Sequence, residues 1–251
     1  MKPASACLLL LLAAPSATQT PITDPRFITY TAAPQAIKLY WKNDRGAPFK
    51  SIQNLKSWLG SQQQQLMFAT NGGMYRPDGS PQGLFIENQQ LKASLDTASG
   101  SGNFYLKPNG VFYITTAGVP AICPTAAFRV IGPIKCATQS GPLLVLNGQI
   151  HPAFKAASPN VNIRNGVGIL PDNRVVFAMS KAPVNFYDFA AYFKSLGCQH
   201  ALYLDGLVSR TYLPAKNWVQ TDGSFGVIVG VALPVRATPH PLASSPKKRG
   251  N

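Results

Sequence analysis

Glycine and proline set the expectation for the fold. The 251-residue chain holds 21 Gly and 22 Pro, so turns should be frequent and long helices few. Short apolar runs recur, each closed by turn residues. Two stretches carry apolar residues at helical spacing. Together these predict an α+β chain: a mixed, mostly antiparallel β-sheet core with a few flanking helices, in a single domain. Hydrophobic residues make up 45%, enough to fill a sizeable core.

Taken in order, residues 1–17 read as a signal peptide. Lys2 supplies the positive end, Ala6 to Ala14 is an apolar run with five consecutive leucines, and Ala14, Ser16 and Ala17 suit cleavage. The run is too short to span a bilayer. The expected product is periplasmic or secreted, with no stable membrane insertion. Residues 18–36 form an extended N-terminal segment rich in Thr and Pro. The main domain is expected over 37–233, followed by a disordered basic tail over 234–251.

Within the domain, Ile37 to Trp41 reads as a strand. Ile52, Leu55, Trp58 and Leu59 mark one helix face, with Ser51 as its cap. Leu66 to Thr70 is an apolar strand running into Asn71-Gly72-Gly73. Gly83–Glu87, Asn103–Leu106 and Val111–Thr115 read as short strands, with Lys107-Pro108-Asn109-Gly110 as a hairpin connection. Ala137 to Leu146 pairs with Gly148 to Ile150 across Asn147-Gly148. Val161 to Leu170 pairs with Arg174 to Ser180 across Pro171-Asp172-Asn173. The second helix is Phe186 to Leu196: Phe186, Phe189, Ala190 and Phe193 share a face, Asn185 caps it, Asp188 suits its first turn and Gly197 ends it. The apolar strand Ala201–Leu204 then stops abruptly at Asp205-Gly206, and Phe225 to Leu233 is the last strand.

The formal charge is +14, and only nine residues are acidic, Glu87 among them as the one glutamate. A basic chain favours an anionic partner. Its cations are dispersed rather than clustered with aromatics, which argues against nucleic acid. An anionic envelope glycan or a small anionic ligand fits better. Outside the leader there are three cysteines; Cys123 and Cys136 are the first choice for a bridge, and Cys198 reads as a buried thiol. No phosphate-cradling loop, GxSxG or metal-ligand spacing occurs.

Four polar clusters beside glycine stand out: Asn71-Gly72-Gly73-Met74-Tyr75, Gln139-Ser140-Gly141-Pro142, Arg164-Asn165-Gly166-Val167-Gly168 and Asp205-Gly206 with Ser209. Each alone reads as a turn. Together they suggest loops converging on one polar site.

The segments ATNGGMYRPDGSPQGLFIENQQL, GNFYLKPNGVFYI, ATQSGPLLVLNGQIHPAF, IRNGVGIL, APVNFYDFAAYF and GCQHALYLDGLVS occur in that order. The sequence resembles the phosphodiester glycosidase family, a domain shared with the lysosomal enzyme that uncovers mannose phosphate by removing N-acetylglucosamine. The resemblance covers about residues 37–232. It implies a hydrolase acting on the glycosidic bond between a sugar and a phosphodiester. The family tends to show Asp-Gly-Gly followed by Ser; here Leu207 replaces the second Gly.

That chemistry gives the residues roles. Cleavage passes through an oxocarbenium-like transition state, and the phosphate leaving group needs little protonation. Asp205 would then activate water or stabilise the cationic sugar. Arg164 would pair with phosphate oxygens, and Glu87 is the candidate second carboxylate. The amides of Gly72, Gly73, Gly166 and Gly206, with Asn71, Gln139, Ser140, Asn165 and Ser209, would bind substrate. No cofactor is required, although Asp205 with backbone oxygens would also suit Ca²⁺ or Mg²⁺. The alternative is a non-catalytic module that retains an anionic envelope glycan or exopolysaccharide.

Overall fold

The computed structural model describes residues 24–130, 132–206 and 208–235. The expected signal peptide and nearly all of the expected tail therefore lie outside the described residues, as does Leu207. In chain order the elements are β1 (Phe27–Ala32), β2 (Ile37–Tyr40), α1 (Ile52–Ser61), β3 (Gln64–Asn71), β4 (Phe85–Glu87), β5 (Gln90–Ala93), β6 (Gly110–Thr115), β7 (Pro120–Pro124), β8 (Ile134–Ser140), β9 (Leu143–Leu146), β10 (Gln149–Ile150), β11 (Asn165–Ile169), β12 (Val175–Ser180), α2 (Phe186–Ser195), β13 (Ala201–Asp205), β14 (Thr211–Leu213), β15 (Trp218–Val219) and β16 (Ile228–Pro234).

These strands form three sheets. The first has the order β1-β12-β11-β13-β9-β10, the second β15-β14-β3-β16-β2, and the third β5-β4-β8-β6-β7. The pairings within each sheet are antiparallel. Among the described residues the chain is thus α+β, with two α-helices packed on the sheets. The sheets bury a shared core that includes Phe68 from β3, Phe85 from β4, Phe112 from β6, Phe177 from β12 and Leu202 from β13. The helices cover the outer faces. Phe189 and Phe193 of α2 pack on Leu144 and Tyr203, while Leu55 and Leu59 of α1 pack on Leu66 and Ile228.

Local chemistry explains the element ends. Ser51 accepts from the Asn54 N–H at the start of α1, and Asn185 accepts from the Asp188 N–H at 2.8 Å at the start of α2. Gly197 follows α2 with φ of +84°, the left-handed conformation that closes helices. The β9–β10 turn falls at Asn147-Gly148, both with positive φ.

Four expectations change. Phe27–Ala32, inside the extended N-terminal segment, is a full strand in register with β12 from Phe27↔Ser180 to Ala32↔Val175; the first sheet therefore begins ahead of residue 37. Asn103–Tyr105 is a 3₁₀ turn rather than a strand, so residues 107–110 join that turn to β6 and close no hairpin. The expected strand from Ala137 to Leu146 is split between β8 in the third sheet and β9 in the first. Cys123 and Cys136 do not bridge. They sit on β7 and β8, which flank β6 on opposite sides, opposite Val111 and Ile114 respectively. Two strand spacings and a three-residue offset along β6 put their Cα atoms about 14 Å apart, beyond disulfide reach. Both are free thiols, as is the buried Cys198.

Candidate active site at the end of β13

Asp205 ends β13 where the first and second sheets meet. The β11–β13 pairing runs Gly166↔Tyr203 and then Asn165↔Asp205, so Leu204 is an extra residue. Such a bulge re-aims the next side chain. Asn165 opens β11 opposite Asp205, and its Oδ1 accepts the Asp205 N–H at 2.8 Å. The Asn165 amide donates to Thr70 Oγ1 at 3.0 Å, to the Asn71 carbonyl at 2.7 Å and to Asn71 Oδ1 at 3.1 Å. Asn71 Oδ1 also accepts the Arg210 N–H at 3.0 Å. The ends of β3, β11 and β13 and the start of β14 are thereby tied into one frame around a single carboxylate.

That carboxylate is sparsely satisfied. Oδ1 accepts the Gly206 N–H at 2.7 Å, and Oδ2 has a long contact of 3.5 Å from the Asn71 amide. An ionised carboxylate has about four acceptor positions. Burial therefore dominates, and it pushes the Asp205 pKa up to about 6, against the opposing pull of the Gly206 and Asn71 hydrogen bonds. Tyr75, on the loop after β3, has its phenol pKa raised by its own burial and then by the Asp205 charge. Its hydroxyl donates to the Ser224 carbonyl at 2.7 Å.

The glycines here make room for neighbours. A Cβ on Gly206 would strike the Tyr203 hydroxyl. A Cβ on Gly73 would strike Thr138 Oγ1 and lie 2.7 Å from the Gln139 carbonyl. The Gly72 N–H is already given to the Val227 carbonyl at 2.7 Å. Ser209 is buried and donates to the Asp205 carbonyl at 3.2 Å.

Residues 64–232 match the phosphodiester glycosidase family. The chain belongs to that family. Among its relatives is the uncharacterized protein YigE of Escherichia coli (strain K12), 41% identical over 213 residues, covering 83% of each chain. Two solved structures share the fold. One is the zebrafish N-acetylglucosamine-1-phosphodiester alpha-N-acetylglucosaminidase catalytic domain, auto-inhibited by its pro-peptide. It has a TM-score of 0.56 and 13% identity, over 85% of this chain and 84% of that one. The other is a candidate exported protein of Burkholderia pseudomallei K96243, with a TM-score of 0.54 and 11% identity, over 82% of this chain and 73% of that one.

In this member of the family the sequence-predicted residues divide. Asn71, Asn165, Gly206 and Ser209 come together at Asp205. Ser140 is one step away: its hydroxyl donates to the Leu204 carbonyl at 2.8 Å and fastens the end of β13 to β8. Gly166 is crowded against the Leu202 carbonyl, 2.9 Å from where its Cβ would lie, and serves strand packing. Gln139 is fully buried and engaged elsewhere. Its Oε1 accepts the Leu84 and Asp96 N–H groups, each at 2.9 Å, and its amide donates to the Asp96 carbonyl at 2.6 Å and to Thr125 Oγ1 at 3.3 Å.

Arg164 is also buried. Its Nε donates to the Val184 carbonyl at 2.8 Å and one terminal nitrogen to the Asn160 carbonyl at 2.9 Å. The guanidinium carbon lies 3.6 Å from the Phe186 ring centroid and 5.7 Å from that of Tyr203. No hydrogen bond or ion pair links it to Asp205 among the described residues. Burial lowers its pKa from the usual arginine range. Glu87 accepts the Trp41 N–H at 3.3 Å, and burial raises its pKa. Its partners are Trp41 and the Lys92 charge, none of them in the Asp205 frame.

Tyr75, the last residue of the Asn71 cluster, belongs to the site region, as do Thr70 and Arg210, which the sequence does not single out. Thr70 lies next to the Asn71 cluster, and Arg210 directly follows Ser209. Adjacency to a polar cluster was the signal for them. Among the described residues, no three His, Cys, Asp or Glu side chains form a metal-binding group. An ion at Asp205 would have to draw on amide and backbone oxygens.

Proposed function

We propose that the protein is an exported hydrolase that cleaves the glycosidic bond between a sugar and a phosphodiester, of the N-acetylglucosamine-1-phosphodiester type. One observation carries this reading: Asp205 is a half-buried carboxylate with a pKa near 6 and an under-occupied oxygen, in a member of a glycosidase family. Ionised above that pKa, it is suited to take a proton from water or to stabilise an oxocarbenium-like centre. The leaving phosphate monoester is a weak base, so a second carboxylate is not required, in keeping with the absence of Glu87 from the Asp205 hydrogen-bond frame. The amides of Asn71 and Asn165 hold the Asp205 loop rather than the sugar. Arg164 is a positioning residue in this scheme. It packs beneath Tyr203, whose hydroxyl lies against Gly206. Export rests on the apolar leader and its small-residue cleavage site.

Incubation with a panel of sugar 1-phosphodiesters, followed by assay of free sugar, tests the reading. Release by the wild type and its loss in Asp205→Asn are expected. Equal release by that variant would overturn the site. No release from any donor, with retention on an acidic glycan, would instead favour the binding module.

A further inference from the structure

A second concavity opens beside the loop that leaves Asn71. It measures about 620 Å³ and is lined by Trp41, Arg76, Ser80, Lys92, Asp96 and Thr97, among others. That volume is within the range of small-ligand sites. Arg76 and Ser80 belong to the loop between Asn71 and Gly83. Lys92 lies on β5, and Asp96 and Thr97 on the segment that follows it.

Trp41 gives the cleft a fixed aromatic wall. Its indole N–H donates to the Gly79 carbonyl at 3.0 Å and its backbone N–H to Glu87 Oε1 at 3.3 Å. Phe85 meets the ring edge-on, with centroids 6.4 Å apart. Lys42 holds its ammonium 4.0 Å from the ring centroid. A ring held in this way gives contact area without loss of rotamer freedom on binding.

The charges around it are unevenly employed. The Asp96 carboxylate accepts the Ala98 N–H at 2.9 Å and the Tyr105 hydroxyl at 3.0 Å. Asp78, in the Arg76 loop, accepts the Ser80 N–H at 2.9 Å and the Ser80 hydroxyl at 2.6 Å. Both acids are turned into their own loops. Among the described residues Arg76 and Lys92 form no salt bridge; Lys92 donates one hydrogen bond, to the Gln90 side-chain oxygen at 2.6 Å, and is otherwise felt only at a distance by Glu87. The donors left for a ligand are therefore cationic. The same loop carries Tyr75, which feels the Asp205 charge, directly before Arg76.

We propose that this cleft is a subsite for an acidic oligosaccharide, with Arg76 and Lys92 pairing its carboxylates or phosphates and Trp41 supporting a sugar ring. Its assignment to the part of the substrate beyond the scissile phosphodiester rests on the hydrolase reading above; the binding itself does not. Tetragalacturonate is the probe and maltotetraose its neutral control. Calorimetric titration uses the full chain carrying Asp205→Asn, which removes turnover.

Tetragalacturonate is expected to bind at least tenfold more tightly than maltotetraose. Adding Arg76→Ala and Lys92→Ala should weaken it about tenfold or more, whereas Arg76→Lys with Lys92→Arg should retain most of the affinity. Raising the salt should weaken the acidic probe alone. Equal affinity for both probes, no measurable binding of tetragalacturonate, or binding indifferent to the double alanine change would overturn the proposal. Because no turnover is read, a failed sugar-release assay leaves this result standing. A failed titration likewise leaves the hydrolase standing.

Discussion

Two buried polar clusters, at Asp205 and at Gln139, are built from the same kinds of residue and do opposite things. Gln139 has two acceptor and two donor positions, and all four are used by Leu84, Asp96 and Thr125. Asp205 is half-buried, and its oxygens receive one short hydrogen bond and one long one. A saturated buried amide is a fastener. An unsaturated half-buried carboxylate retains capacity for water or substrate, and its raised pKa reflects that deficit. Completeness of hydrogen bonding, together with an opening to solvent, separates a reactive group from a strut.

The largest expected effect breaks this contrast at its reactive end. Asp205→Asn should lower kcat/KM for a sugar 1-phosphodiester by roughly 10²–10⁴-fold. The same change should stabilise the fold at pH 7. The native pKa of about 6 lies above the reference value of 3.8. The unfolded chain thus loses its proton first as pH rises, and stability falls between about pH 4 and pH 6. Asparagine removes that penalty, so its gain should reach about 1–3 kcal/mol at pH 7 and fade near pH 4. Urea titrations at the two pH values measure the difference.

Next in size is the strut. Gln139→Ala leaves the Leu84 and Asp96 N–H groups and the Asp96 carbonyl unpaired in the interior. It should cost about 3 kcal/mol, read as a lower denaturation midpoint. Sugar release per folded molecule should fall far less than in Asp205→Asn. A larger fall would mean that Gln139 belongs to the site.

Arg164 tests the middle ground. Arg164→Lys keeps the charge but loses the planar stack on Phe186 and one of the carbonyl contacts, at a cost of about 1–2 kcal/mol. As a positioning residue it should lower kcat with little change in KM. A rise in KM alone would return it to a phosphate-binding role. The smallest effect is one of pH. The kcat/KM of the wild type should climb tenfold per pH unit below about 6 and level off above it, and the climb should vanish from the residual activity of Asp205→Asn.

Much of this architecture was readable before any coordinates. The second helix announced itself through Phe186, Phe189 and Phe193, with Asn185 and Gly197 at its ends. Asn147-Gly148 marked its hairpin. The strand-ending Asp205 was visible as an acid after four apolar residues. Direction was harder to read. Arg164 and Asn165 are neighbours, yet on a strand their side chains leave on opposite faces. One reaches the Asp205 frame and the other the start of α2. Gln139 looked like a ligand-binding amide because composition does not reveal which backbone groups will need a partner. The Cys123–Cys136 pairing failed because closeness in sequence says nothing of the strand inserted between them. Phe27–Ala32 lacked strict alternation, and its place in the sheet is dictated by β12, some 150 residues away.

The second sheet bears on when the chain can fold. Its interior strand β16 is the last of the described strands, and it pairs with the central β3 on one side and the edge strand β2 on the other, from Ile37↔Val231 to Tyr40↔Ile228. β2 has no other neighbour in the sheet, and β3 gains β14 only from residue 211 onward. Contacts of such long sequence separation close slowly. Removing β16 would therefore cut β2 off from the rest of the sheet rather than trim an edge, and a nascent chain stopped before residue 228 would leave that sheet unclosed.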